Sequence, residues 1–210
     1  MLHLTFQPCL ADSDVWMRPI KKSNGSPCYE YLLLCTDDVL VISENSKKVL
    51  RDGIGKYFEL KESSIGPPNQ CLGVHMRKVE LNNGVHAWAF SSSIYVTEAV
   101  KNVERQLEKT SFKLPRKAET LLQTSYHPEI DTTPELSRND AAYYQLLIDM
   151  LQWMVELGRV DICIEVSMMS SQLALPRECH LEQLYHIFAH INKYYNTERV
   201  FDPTITEINK

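Results

Sequence analysis

Tyr29-Glu30-Tyr31-Leu32-Leu33-Leu34-Cys35-Thr36-Asp37-Asp38-Val39-Leu40-Val41-Ile42-Ser43 is the stretch whose reading decides the fold. Two apolar runs, 29–35 and 39–42, are rich in leucine and β-branched residues, and only Thr36-Asp37-Asp38 separates them. That pattern predicts a tight antiparallel hairpin with strands buried over most of both faces. Asp37 and Asp38 then fall at its tip. Adjacent carboxylates there have two readings. Aspartate is a good turn former pointing into water. Hard carboxylate oxygens also suit magnesium, and a pair of metals about 3.5–4 Å apart stabilises both attacking and leaving oxygens in nucleotidyl transfer.

Upstream, Pro8, Pro19, Gly25 and Pro27 mark the first 28 residues as an irregular entry segment. Downstream, Val49, Leu50, Ile54, Tyr57 and Phe58 recur at helical spacing behind Ser46, predicting a helix over 43–57 with Ser46 as N-cap. Gly53 and Gly55 weaken its last turn. A loop at 65–69 leads to strands at 71–79 and 85–90, joined by Asn82-Asn83-Gly84, whose Asn-Gly step suits a tight hairpin turn. Val96, Val100, Val103 and Leu107 stripe a helix over 93–108. Three prolines and little periodicity make 110–136 a linker. Helices follow at 139–157, 162–173 and 180–195. The predicted class is α+β, with strands and helices at 1–109, the linker, and a helical region at 137–210.

Composition sets outer bounds. The 210 residues are 44% hydrophobic and 23% charged, as in ordinary globular proteins. No apolar run approaches the roughly 18 residues of a membrane span, so no membrane association is expected. No secretory leader opens the sequence, and the six cysteines include no CxxC pair, which predicts reduced thiols in an intracellular, cytoplasmic protein. The net charge of −5 argues mildly against a stand-alone nucleic-acid binder, which normally presents a basic face. It leaves room for the metal-binding part of a polymerase, which is acidic by necessity.

The 29–43 segment resembles the Tyr-x-Asp-Asp hairpin of reverse transcriptases, particularly those of copia-type retrotransposons. Further landmarks follow in the family's order: Ala11-Asp12-Ser13-Asp14-Val15-Trp16 before the hairpin, Cys71-Leu72-Gly73 at the aromatic-Leu-Gly strand, and a helix at 93–107. Tyr144-Gln145 and Gly158-Arg159-Val160-Asp161-Ile162 come next, then Pro176-Arg177-Glu178-Cys179-His180 and Tyr194-Tyr195-Asn196-Thr197. The similarity spans residues 8–203. Each landmark alone is weak; their common order and spacing is specific.

The resemblance implies a truncated palm, an antiparallel sheet with two helices on one face, followed by a helical thumb or connection region. It implies an RNA-directed DNA polymerase with magnesium as cofactor, Asp37 and Asp38 as catalytic metal-site carboxylates, and Asp37 as the more direct ligand. Leu72 and Gly73 would be primer-grip-like, Gly73 letting a strand approach another backbone closely. Partners would be a template-primer and the remaining polymerase parts in trans; the location would be cytoplasmic, nuclear or within retrotransposon particles.

Three departures qualify these expectations. Cys35 stands where the motif has tyrosine, which in the family packs near the growing primer end. The aspartate from an upstream strand that bridges the metals has no counterpart, and Asp12 and Asp14 match a different segment. The fingers and the ribonuclease H region are also missing, the sequence ending at Lys210. The expectation is a fragment inactive alone and poorly soluble, the alternative a non-catalytic relic or nucleic-acid-binding module that retains the fold.

Other candidates are weaker. His186 and His190 share a helix face one turn apart, near His180, a spacing compatible with zinc but also with an ordinary packed face. Lys47-Lys48, Arg77-Lys78 and Lys113 to Lys117 are candidate phosphate contacts, or solvated charges. Met150, Met154, Met168, Met169, Phe188 and Tyr194 read as core rather than cofactor contacts. Gly53-Ile54-Gly55 is too short for a nucleotide loop, and no GxSxG pattern occurs.

Overall fold

The computed structural model describes residues 1–35, 38–109, 112–116 and 118–204 of an α+β chain. Two compact units result, Met1–Pro68 and Asn69–Lys210. The division falls at Pro68, where Gly66-Pro67-Pro68 breaks the chain, and not in the proline-bearing stretch 110–136.

In the first unit, β1 (Gln7–Pro8), β2 (Val15–Lys21), β3 (Pro27–Cys35) and β4 (Asp38–Ile42) form an antiparallel sheet in sequential order. The β3–β4 ladder runs from Tyr31 opposite Ile42 to Cys35 opposite Asp38, as the apolar pattern predicts. The entry segment is not irregular: β1 and β2 occupy most of it, and Pro19 sits within β2 opposite Tyr29. Strand period then sorts the side chains. Trp16, Leu32, Leu34, Val39 and Val41 share the face packed on Phe6, Val49 and Ile54. Tyr29, Tyr31, Leu33, Leu40 and Ile42 take the opposite face, where Tyr29, Tyr31 and Ile42 are exposed.

The covering segment is not the continuous helix expected over 43–57. It breaks into α1 (Ser46–Lys48), a π-helical turn at Val49–Gly53 and a 3-10 turn at Ile54–Lys56. Asn45, not Ser46, is the cap, its side chain accepting from the Lys48 N–H. Gly53 and Gly55 offer little resistance to such a change of helix type. Widening the turn still directs Val49 and Ile54 to the sheet, while Tyr57 and Phe58, expected on the same stripe, are exposed.

One charged group lies under this cover. Glu30 is buried on the packed face, pairs with Arg18 Nε at 2.6 Å and accepts from the Ser43 hydroxyl. Arg18 also donates to the Leu4 carbonyl at 2.8 Å and lies over the Phe6 ring. One ion pair therefore ties the N-terminal turn, β2, β3 and the end of β4 together.

The second unit carries its own antiparallel sheet: β5 (Gln70–Cys71), β6 (Val74–Glu80), β7 (His86–Ser91) and, at its edge, β8 (Glu198–Phe201). The β6–β7 connection is a three-residue loop closed by Leu81 N–H to Val85 O, with Gly84 at φ +75°. Such a loop needs a left-handed residue, which glycine supplies without strain. The sequence points to this hairpin but not to β8, which is four residues long and exposed throughout. Helices α2 (Ser93–Glu108), α3 (Arg138–Glu156), α4 (Cys163–Ser170) and α5 (Glu178–Lys193) bury one core. Val96, Val100, Val103 and Leu107 of α2 meet Leu147, Leu151 and Met154 of α3 there, with Met169 and Phe188. Met150 and Met168 are partly buried, and Tyr194 is exposed.

Among its described residues the stretch between α2 and α3 has one 3-10 turn, Pro128–Ile130, yet it is fastened by side chains from α5. Gln183 accepts from the Gln123 N–H at 3.0 Å, the His190 ring meets the Ala118 carbonyl at 3.1 Å, and Lys193 pairs with Glu119. His186 bonds to the Thr120 backbone. These donors and acceptors recur along one face of α5, so the helix provides the partners that a sheet neighbour otherwise would. Burial pushes the His186 imidazole pKa down, the Thr120 bond opposing it and the charge of His190 adding to it.

Two measurements test these supports. Glu30→Ala strips acceptors from Arg18 and Ser43 and is expected to lower the urea midpoint by the equivalent of about 2 kcal/mol; an unchanged midpoint contradicts the role given to the pair. His186 lies below the ordinary histidine value of about 6.5, so near and below that pH the unfolded chain binds a proton that the folded chain resists, and stability falls. The melting temperature should therefore drop between about pH 7 and pH 5.5, and less steeply in His186→Gln.

Candidate metal centre and landmark residues

Asp38 opens β4 opposite Cys35, at the end of the ladder, and is exposed. Asp37 and Thr36 lie outside the described residues. The turn before β2 reaches the same end of the sheet: the Asp14 N–H bonds to the Asp12 carboxylate at 2.9 Å, and the Asp14 carbonyl accepts from Leu34 N–H at 3.0 Å. Yet β2 and β4 flank β3 on opposite sides. Asp14 and Asp38 are thus separated by two strand spacings, on the order of 10 Å. Strand β3 lies between their backbones, so β2 and β4 do not set these two acids side by side as neighbouring strands would. Among the described residues no three His, Cys, Asp or Glu side chains gather closely enough to hold a metal ion. The described carboxylates therefore do not complete a magnesium site. They place one exposed acid, Asp38, on β4, which is an edge strand.

Leu72 and Gly73 are not in a strand interior. Cys71 pairs with Val74, and the two residues between them make the β5–β6 turn, with φ +50° and +84°. Both central residues being left-handed is the pattern of a tight two-residue hairpin. A Cβ at Gly73 would meet nothing within 4 Å, so glycine is needed there for its backbone angle and not for close approach. Leu72 is exposed.

The later landmark residues have physical roles. Arg159 is 1% exposed; its Nε and Nη2 grip Asp161 at 2.9 and 2.8 Å, while Nη1 has no partner. Burial pushes the Asp161 carboxyl up, but Arg159 outweighs it and holds it below its ordinary range. Pro176 accepts from Leu136 N–H, and the Arg177 guanidinium donates to the Thr133 carbonyl. His180 Nδ1 accepts from the Arg177 N–H at 3.0 Å, which places the ring proton on Nε2, facing the Pro128 carbonyl at 3.1 Å.

Cys179, His180 and Asp131 are a set that sequence spacing could not bring together, because Asp131 lies in the stretch read as a linker. Burial raises the Asp131 carboxyl, but hydrogen bonds from Thr133 and Tyr126, and His180 nearby, bring it below normal. Burial also raises the Cys179 thiol, as do the charges of Asp131 and Glu182. A thiol so shifted is not an activated nucleophile, and both His180 nitrogens face backbone groups. The set is a helix cap and brace. His186 and His190 likewise face backbone groups of 118–120.

Of the basic pairs, Arg77 is held by both Glu198 oxygens at 2.9 and 2.6 Å, and Lys78 lies over Trp88. Lys47, Lys48, Lys113 and Arg116 are exposed, and Lys117 lies outside the described residues. Among the described residues no helix is long and apolar enough to cross a membrane.

No family model, curated protein or solved structure matches this chain.

The left-handed turn at 72–73 gives a direct test. Leu72→Asn suits the positive φ and should raise stability by about 0.5 kcal/mol, while Gly73→Val should lower it by about 1–2 kcal/mol. Equal unfolding midpoints for the two variants would contradict the turn geometry.

Proposed function

We propose that the chain is the carboxylate-bearing part of a copia-type reverse-transcriptase palm with a helical thumb or connection region after it, unable to extend a primer alone. The supporting observation is the β3–β4 ladder, which ends on Cys35 opposite Asp38 with the acid exposed on an edge strand. In this reading Asp37 and Asp38 are two of the carboxylates that hold magnesium, and the metal would neutralise charge on the reacting phosphate. The third carboxylate comes from another polypeptide segment whose strand adds along the free edge of β4. Unpaired N–H and C=O groups make such an edge a template for strand addition. Template-primer would be the nucleic-acid partner.

The second reading is a non-catalytic relic or binding module. Cys35 favours it, since a thiol replaces the aromatic ring expected beside the primer end.

Primer extension on an RNA template separates the two. The purified chain with magnesium, then manganese, is expected to incorporate nothing above background. Added polypeptide carrying the fingers and upstream strand of a copia-type element should restore incorporation, and Asp37→Asn or Asp38→Asn should return it to background. Extension by the chain alone overturns the claim of incompetence. Failure of complementation with a demonstrably bound partner favours the relic.

A further inference from the structure

The outer face of α3 differs from its core face in a way that packing does not explain. Tyr144, Leu147, Leu151 and Met154 point into the core, whereas Leu146, Asp149, Trp153 and Glu156 follow at i, i+3, i+7 and i+10 on the exposed side. Trp153 is 43% exposed, a large apolar surface to leave in water. Beside it α3 and α4 flank a groove of about 490 Å³, with Val155 and Val166 among its lining residues. On the α4 side Cys163, Ser167 and Ser170 are small, and Gln152 of α3 lines the groove with them and donates to the Ser170 hydroxyl at 3.1 Å. Ile164, 66% exposed, stands on the same helix.

The charge is one-sided. Asp149 and Glu156 line the groove with Trp153 between them, and no lysine, arginine or histidine does. Seven residues of helix set the two acids on the order of 10 Å apart along the axis. Neither forms an ion pair among the described residues. An indole face flanked by two free carboxylates attracts a cation by its quadrupole and by Coulomb attraction together. A phosphate backbone would be repelled by the same acids.

We propose that the α3–α4 groove docks a lysine- or arginine-bearing amphipathic helix of a protein partner. Its apolar stripe lies in the groove, one cation sits over Trp153, and others pair with Asp149 and Glu156. The inference does not rest on the polymerase reading.

The probes are two fluorescein-labelled 18-residue helical peptides with identical leucine stripes, one flanked by lysines and the other by glutamates. Anisotropy with the full chain at low salt should give at least tenfold tighter binding of the lysine peptide, weakened by added salt. Asp149→Lys/Glu156→Lys should abolish that preference, and Trp153→Gln should weaken binding at least fivefold, with circular dichroism melts confirming both variants folded. Equal affinities for the two peptides overturn the proposal, as does a preference that survives the charge reversal. Direct binding of fluorescein-labelled single-stranded DNA that is lost in Trp153→Gln, or self-association of the chain in sedimentation that is lost in the same variant, assigns the groove to another occupant and overturns it too.

Discussion

Pairing register in the first sheet is the constraint on which the first unit depends. Leu32 lies opposite both Trp16 and Val41, so three apolar side chains from three strands fall on one face. Side chains alternate with a period of two, and a slip by one residue would exchange the faces completely. Glu30 would lose Arg18 and Ser43, and Tyr29 and Tyr31 would turn inward against Phe6 and Ile54. The buried ion pair thus works as a register lock: only one alignment places a cation and a hydroxyl within reach of this carboxylate. The same register sets Asp38 at the end of the ladder, on the face shared by Leu40 and Ile42. A side chain required to hold the sheet together thereby fixes the place of one that is not.

The second unit solves a different problem. A chain segment with little regular structure must still satisfy its buried backbone groups. Here α5 supplies them from Gln183, His186 and His190, and its N-terminus is braced through Asp131, Thr133 and His180. Order in this stretch is borrowed from side chains of a helix some 60 residues away in sequence. That arrangement makes protonation of His186 and Asp131, both held below their ordinary pKa, a point of failure in acid.

What could be read from the sequence follows from how local each cause is. The β3–β4 hairpin, the β6–β7 hairpin and α2 through α5 have strong periodic patterns, and these elements lie within a few residues of where the patterns put them. β1 and β2 were hidden because prolines read as breakers, whereas Pro19 needs only a position whose missing N–H costs no ladder bond. β8 was hidden by its length, and its place beside β7 is secured by Glu198 on Arg77 and Phe201 against Phe90, contacts more than a hundred residues apart. The helix over 43–57 failed on Gly53 and Gly55, where weak propensity let packing on Phe6 and Leu32 choose a wider turn. Asp131 and His180 were invisible as a pair, since only the tertiary fold brings them together.

The candidate metal site shows the same limit from the other side. Its single described acid was legible from two residues of sequence, because a polar break between apolar runs is a local signal. Whether carboxylates converge is a matter of strand order, and the order β1-β2-β3-β4 puts Asp14 and Asp38 on opposite flanks of β3. Adding acids to the β1–β2 turn would not close that distance, since the spacing between strands is set by the backbone hydrogen bonds. Among the described residues no strand pairs with the outer side of β4, so a strand added there would bring a further carboxylate within one strand spacing of Asp38. The geometry of backbone pairing, and not the number of aspartates in the chain, sets the spacing between the described acids of this sheet.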